Sequence, residues 1–199
     1  MEKNKRITNC KVVIIGGSAG SLQALLQILP FIEKPISFAI VIVVHRKNSD
    51  EQTLESLIAL KSKITVKEVE DKVKFESGFV YIAPSNYHLL FEKNETLSLD
   101  TSEKVNYSRP SIDVSFESAA EIYGEHLIGI LLSGSNSDGT IGLRAIQAAG
   151  GISVVQNPLS AEMPFMPNNA ILHTVPDFVL STEEILEFIK GINQESEEA

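Results

Sequence analysis

The chain has 199 residues, 43% hydrophobic and 22% charged, with a formal net charge of -9. That length suits one domain with a full core, and the acidic balance excludes a surface built to grip nucleic acid through Lys and Arg. Cys10 is the only cysteine, which excludes an intramolecular disulfide and a multi-cysteine metal cluster.

The apolar run Val12 to Ile15 is too short for a signal-peptide core or a membrane span. The expectation is a cytoplasmic protein with no membrane insertion, and Cys10 as a small packing residue. The same run reads as a strand buried on both faces, as in a parallel sheet. It enters a small-residue turn, Gly16-Gly17-Ser18-Ala19-Gly20-Ser21, and a helix through Leu22, Leu25, Leu26 and Leu29. Gly16-x-Ser18-x-Gly20 has the spacing of a nucleophile elbow, in which flanking glycines let a serine project above the sheet.

Phe38 to Val44 is a second buried strand, ending at His45. Two such strands joined by a helix make a right-handed βαβ unit, so Ser18 and His45 fall on one sheet edge. Asp50 is a candidate cap for a helix through Leu54, Leu57 and Ile58. Ile64 to Val69 alternates as a half-exposed third strand. From Lys72 to Asp100 the period is near two, with strands at Phe79 to Ala83, His88 to Phe91 and Thr96 to Leu99. This segment is expected to add a hairpin to the parallel core and make the sheet mixed.

A helix from Ser111 carries Ile112, Phe116, Ala119, Ala120 and Tyr123. Leu127 to Leu132 is a buried strand that ends in the turn Ser133 to Gly139. A helix through Leu143, Ile146 and Ala149, closed by Gly150-Gly151, precedes the last core strand, Ile152 to Val155. Asn157 to Asn169 reads as a loop with a short helix near the active edge, and Glu183 to Ile192 as a terminal helix. Residues 8–193 are expected to form one α/β domain, three-layered and Rossmann-like. It has a doubly wound, mostly parallel sheet flanked by helices, with the antiparallel hairpin added. Residues 194–199 are expected to be a disordered acidic tail.

Three buried strands thus end in Ser18, His45 and the turn holding Asp138, at the edge where open parallel sheets bind ligands. Serine, histidine and aspartate there are the constellation of nucleophilic acyl transfer. The backbone N–H of Ala19 is a candidate oxyanion donor. Taken singly, Ser18 also reads as a turn residue or helix N-cap, His45 as an edge residue, and Asp138 as an N-cap. His173 competes with His45, because Ser18, Asp138 and His173 follow the chain order of ordinary α/β-hydrolases. His126 opens a strand at the opposite edge, and His88 sits near the cleft without being a ligand. The turn lacks the G-x-G-x-x-G and Walker A patterns, although a phosphate on the helix N-terminus remains a rival reading. No histidine pair has metal-ligand spacing, so neither metal nor organic cofactor is expected.

Several blocks follow in chain order: Gly17-Ser18-Ala19-Gly20, His45, Tyr81-Ile82-Ala83-Pro84 with Tyr87-His88, and Arg109-Pro110-Ser111-Ile112-Asp113-Val114. Further along stand Ser133-Gly134 through Asp138-Gly139, Ala149-Gly150-Gly151 with Gln156, and Met166-Pro167 before Ala170-Ile171. In these blocks the chain resembles the catalytic domain of the chemotaxis protein-glutamate methylesterases, the CheB-type enzymes. The resemblance implies a triad of Ser18, His45 and Asp138. It also implies hydrolysis of glutamate γ-methyl esters on chemoreceptor signalling helices, with glutamine deamidation in many members. An esterase for another substrate, or a non-catalytic receptor-binding adaptor of the same fold, stands as the alternative.

The chain departs from the family pattern at Ser21, where a second glycine is common. It departs again at Ser135-Asn136, where the acid loop usually reads Met-Gly, and at Arg46-Lys47, where Met-Pro is frequent. Ser135 joins Ala19 as a candidate for the oxyanion or substrate. Few residues precede the first strand, so a receiver domain like that of typical members is not expected. The corresponding expectation is basal activity without a phosphodonor, or control by a separate phosphorylated regulator.

Overall fold

The computed structural model describes residue 7, residues 9–45 and residues 53–197. The candidate cap Asp50 and the Arg46-Lys47 pair lie outside the described residues. The main sheet is seven-stranded and parallel, in the order β10-β9-β8-β1-β2-β5-β3. Its strands are β1 (Val12–Gly17), β2 (Ala39–Val44), β3 (Thr65–Glu68), β5 (Phe79–Ile82), β8 (Leu127–Leu131), β9 (Ile152–Gln156) and β10 (Phe178–Leu180). β1, β2, β8 and β9 are buried along their whole length. That is why β1, β2 and β8 read as apolar runs with no polar alternation, whereas β9 carries the buried Ser153 and Gln156 among its apolar residues.

Alternate residues of each strand feed two cores. Val13, Ile15, Ile40, Ile42, Ile128 and Val154 face one layer of helices, formed by α1 (Ser21–Ile28), α2 (Thr53–Lys61) and α6 (Thr182–Glu197). Val12, Ile14, Val41, Val43 and Leu131 face the other, formed by α3 (Ile112–Tyr123), α4 (Thr140–Ala148) and α5 (Phe165–His173). The two faces follow from the period of two along an extended chain.

Four expectations are corrected. The Lys72–Asp100 segment does not extend the main sheet as a hairpin. β4 (Val73–Lys74), β6 (His88–Phe91) and β7 (Thr96–Asp100) form a separate three-stranded antiparallel sheet, and only β5 joins the parallel one. Leu89, Phe91 and Leu97 are buried in the same core as Phe116, and the Phe91 N–H donates to Ser118 Oγ at 2.8 Å. This little sheet is therefore fastened to α3 by side chains, and among the described residues its strands form no ladder with the main sheet. β10 adds an edge strand beyond β9, so Ile152–Gln156 is not the last strand of the core; the three residues of β10, Phe178-Val179-Leu180, are apolar but too few to show a period. α6 continues through Glu197, past the expected end at Ile192 and into the segment expected as a disordered tail. Ala149, expected on the apolar face of α4, is its exposed C-cap.

Cys10 is a buried packing residue, and burial pushes its thiol up to about 12. Among the described residues, no helix is long and apolar enough to cross a membrane.

Candidate active site

From β1 the chain moves outward to β2, then returns to place β8 on the other side of β1. The strand order therefore reverses between β1 and β8, and the crevice at such a point is where doubly wound sheets place ligands. Register sets the neighbours there. Gly17 pairs with Val44 and Gly16 with Leu131, so the next residues out, Ser18 and His45, emerge side by side. The ladder runs one step further: the His45 N–H donates to the Gly17 carbonyl at 3.1 Å, and the Ser18 N–H to the Ser133 carbonyl at 2.9 Å.

The elbow is held by its own backbone and by a hydroxyl. Ser21 N–H and Ser21 Oγ both donate to the Ser18 carbonyl, at 3.0 and 2.6 Å. Gly20, and not Ser18, is the N-cap of α1, with φ of 80°. A Cβ there would be strained by its backbone and would sit 2.6 Å from Ser133 Oγ. Ser133 Oγ in turn donates to the Ala19 carbonyl at 2.7 Å, tying the elbow to the acid turn.

His45 bridges the other two residues. Its Nε2 lies 2.7 Å from Asp138 Oδ2, and its Nδ1 lies 3.2 Å from Ser18 Oγ. A carboxylate only accepts, so the proton of the neutral ring sits on Nε2 and the Nδ1 lone pair faces the Ser18 hydroxyl. Asp138 is fully buried, and burial opposes its ionisation. Its hydrogen bond with His45 and the backbone N–H groups of Asp113 and Ile112 outweigh that cost and hold its carboxyl below the ordinary value. Those N–H groups reach it at 3.0 and 2.7 Å and belong to the first turn of α3, where the helix dipole also favours a negative charge. Ser111 Oγ and the Gly139 N–H complete the set, at 3.0 and 3.1 Å.

Three residues outside the triad support this arrangement. His88 is buried; its Nδ1 accepts from the Ser111 N–H at 3.1 Å, and its Nε2 donates to the Glu103 carbonyl at 3.0 Å. It steadies the α3 N-cap from behind. Asp113 Oδ1 accepts the Gly142 N–H at 2.8 Å, while its buried Oδ2 has no hydrogen-bond partner among the described residues. Burial pushes the Asp113 carboxyl up to about 7, and the nearby charge of Asp138 pushes it the same way. Asn136 accepts the Asp138 N–H on Oδ1 at 3.1 Å and places Nδ2 3.3 Å from His45 Nδ1.

Sequence reasoning missed Asp113 and Asn136 as parts of the site and left His88 without a task. The signal available was the block Ser111-Ile112-Asp113, a cap followed by a carboxylate where the helix needed no second one.

The remaining candidates fall elsewhere. His173 ends α5, where its Nδ1 donates to the Asn169 carbonyl at 2.9 Å and its own carbonyl accepts from Arg144. It is therefore engaged away from Ser18, and the Ser18, Asp138, His173 order is not realised. His126 ends the short turn Gly124–His126 just before β8, its Nδ1 donating to the Asn9 carbonyl, at the opposite sheet edge. Ala19 and Ser135 are both exposed, one on the elbow and one in the acid turn. Among the described residues, no cluster of His, Cys, Asp or Glu has the geometry of a metal site.

A serine whose hydroxyl meets an imidazole, itself held by a buried carboxylate, is equipped for nucleophilic acyl transfer on an α/β scaffold. Its chain order is Ser, His, Asp. The CheB methylesterase family profile matches residues 13–189, and the chain belongs to that family. A relative from Leptospira interrogans is 47% identical over 187 residues, spanning 94% of this chain and 96% of its own. A Thermotoga maritima relative named protein-glutamate methylesterase/protein-glutamine glutaminase is 35% identical over 180 residues. That match covers 89% of this chain but 52% of the relative. The crystal structure of the Thermotoga maritima CheB methylesterase catalytic domain superposes with a TM-score of 0.87 at 34% identity. It covers 91% of this chain and 97% of that domain.

Proposed function

We propose that this chain is a protein-glutamate methylesterase whose substrates are glutamate γ-methyl esters on chemoreceptor signalling helices. Protein-glutamine deamidation at the same site is the second activity. The observation that carries the reading is His45, set between Ser18 and Asp138 in a chain of the CheB methylesterase family. That family membership makes the chain a hydrolase.

In this mechanism Ser18 Oγ attacks the ester carbonyl as its proton passes to His45 Nδ1. The tetrahedral oxyanion is met by backbone N–H groups at the start of α1, that of Ala19 first. The imidazolium then protonates the departing methoxide, releasing methanol and leaving a glutamyl ester on Ser18. Water, deprotonated by His45, attacks that ester and frees glutamate and the serine. With a glutamine substrate the leaving group is ammonia. Asp138 keeps its negative charge throughout and stabilises the imidazolium. No step calls on a metal or organic cofactor. A cytoplasmic location is part of the same proposal.

Methanol release from a methylated chemoreceptor, compared between wild type and Ser18→Ala, tests it. Release by the wild type and its loss in Ser18→Ala are expected. Equal release from both proteins would remove Ser18 from the mechanism. Receptor binding without release from either would leave an adaptor, and release only from small esters would redirect the substrate.

A further inference from the structure

His45 Nδ1 has one in-plane lone pair, and two donors approach it. Ser18 Oγ lies at 3.2 Å and Asn136 Nδ2 at 3.3 Å, both long for hydrogen bonds of their type, as expected when one acceptor is shared. The Asn136 amide has its orientation set independently: the Asp138 N–H needs an acceptor and finds Oδ1 at 3.1 Å, which leaves only the NH2 end to face His45.

We infer that Asn136 restrains the base: its amide N–H competes with the Ser18 hydroxyl for the Nδ1 lone pair and must let go whenever that nitrogen takes a proton. The inference rests on the serine-hydrolase reading of the site. Its chemistry is simple. When Ser18 Oγ attacks, its O–H bond breaks and an Nδ1–H bond forms. The new N–H would then point at the N–H of Asn136, so the amide bond that favoured the neutral ring becomes repulsive. Asp138 Oδ2 on the far side of the ring favours the imidazolium, and Asn136 on the near side opposes it. Two further titratable groups stand behind this pair, Asp113 beyond Asp138 and His88 beyond Ser111. Neither lies on the Nδ1 side through any hydrogen bond. Among the described residues, Asn136 is thus the side chain that sets how freely the lone pair is offered to the nucleophile.

The test uses a fluorophosphonate, which phosphonylates an activated serine, with the labelling rate followed against pH. Asn136→Ser is the informative variant, because a serine hydroxyl can still accept the Asp138 N–H in a short turn but carries no amide to reach His45. Freeing the lone pair is expected to raise the plateau labelling rate about three- to tenfold, the scale of one hydrogen bond. It is also expected to move the acid limb of the profile to higher pH. Asn136→Asp keeps the turn acceptor and sets a carboxylate against Nδ1, so its acid limb should move further in the same direction. If the rate in Asn136→Ser is unchanged, or falls with the limb unmoved, Asn136 only shapes the turn and the inference fails. A wild type that is not labelled, like Ser18→Ala, would instead overturn the serine-hydrolase reading and this inference with it.

Discussion

Asp138 and Asp113 cap each other's helices. Asp138, just before α4, accepts the first-turn N–H groups of α3; Asp113, in the first turn of α3, accepts the Gly142 N–H of α4. α4 needs that service because its own N-cap is Gly139, which has no side chain to offer. The exchange locks the acid turn to α3, and through Asp138 it fixes the plane of His45. It also buries two carboxyl groups together, only one of which is well supplied with donors.

From this pairing follows a pH dependence of stability. A carboxyl pushed up to about 7 by burial holds a proton in the folded chain at pH values where the unfolded chain, near the ordinary 3.8, has lost it. The folded state binds more protons in that window, so stability falls as pH rises from about 4 to about 7. Asp113→Asn keeps an acceptor for the Gly142 N–H and cannot ionise. Its thermal midpoint should fall less than that of the wild type across this window. Equal pH slopes in the two proteins would refute the assignment.

At Asp138, charge and capping can be separated. Asp138→Asn retains an oxygen for the Asp113 and Gly139 N–H groups, but its NH2, in the place of Oδ2, faces His45 Nε2, drives the ring proton to Nδ1, the wrong side for Ser18, and leaves the Ile112 N–H without its acceptor. A fall of about 10³–10⁴-fold in kcat is expected, with a loss of stability in the unfolding midpoint smaller than that of Asp138→Ala. Asp138→Ala strands the Ile112, Asp113 and Gly139 N–H groups and the Ser111 hydroxyl in a buried place. It should cost about 2–4 kcal/mol in urea unfolding as well as activity.

Between the histidines the geometry makes a plain choice. His45→Ala should lose about 10⁴-fold or more in methanol release. His173→Ala should remain within about twofold of wild type, because only an exposed helix-end bond is lost. The reverse pattern would restore the Ser, Asp, His order.

The elbow offers a test of Ser21. Ser21→Ala removes the 2.6 Å bond to the Ser18 carbonyl. It should lower stability by about 1 kcal/mol, read by denaturant midpoint, while Ser18 remains reactive. A several-fold loss of fluorophosphonate labelling without that destabilisation would mean the hydroxyl acts on the nucleophile itself.

How much of this was legible beforehand depended on the kind of signal. β1, β2 and β8 are buried on both faces and so wrote themselves as uninterrupted apolar runs, and β9 as an apolar run broken by Ser153. Their ends located Ser18, His45 and Asp138 without any need for side-chain detail. β4, β6 and β7 were legible as strands but not as a separate sheet, because the period of two says which faces are apolar and not which strand is the partner. β10 is apolar, Phe178-Val179-Leu180, but three residues are too short a run to show a strand period.

The sequence by itself determined the buried core strands, the elbow and the residues at the strand ends, since local periodicity and small-residue turns depend on near neighbours; the strand order came from the tertiary structure. Only the tertiary structure set His45 beside Ser18 and Asp138 and His173 at the end of α5, two residues both plausible in chain order but on different elements. It alone brought Asp113 against Asp138 and turned Asn136 toward His45. These are contacts across long stretches of chain or orientations set by one hydrogen bond, and the physics that selects them, burial and the pairing of buried donors, acts only once the layers have closed.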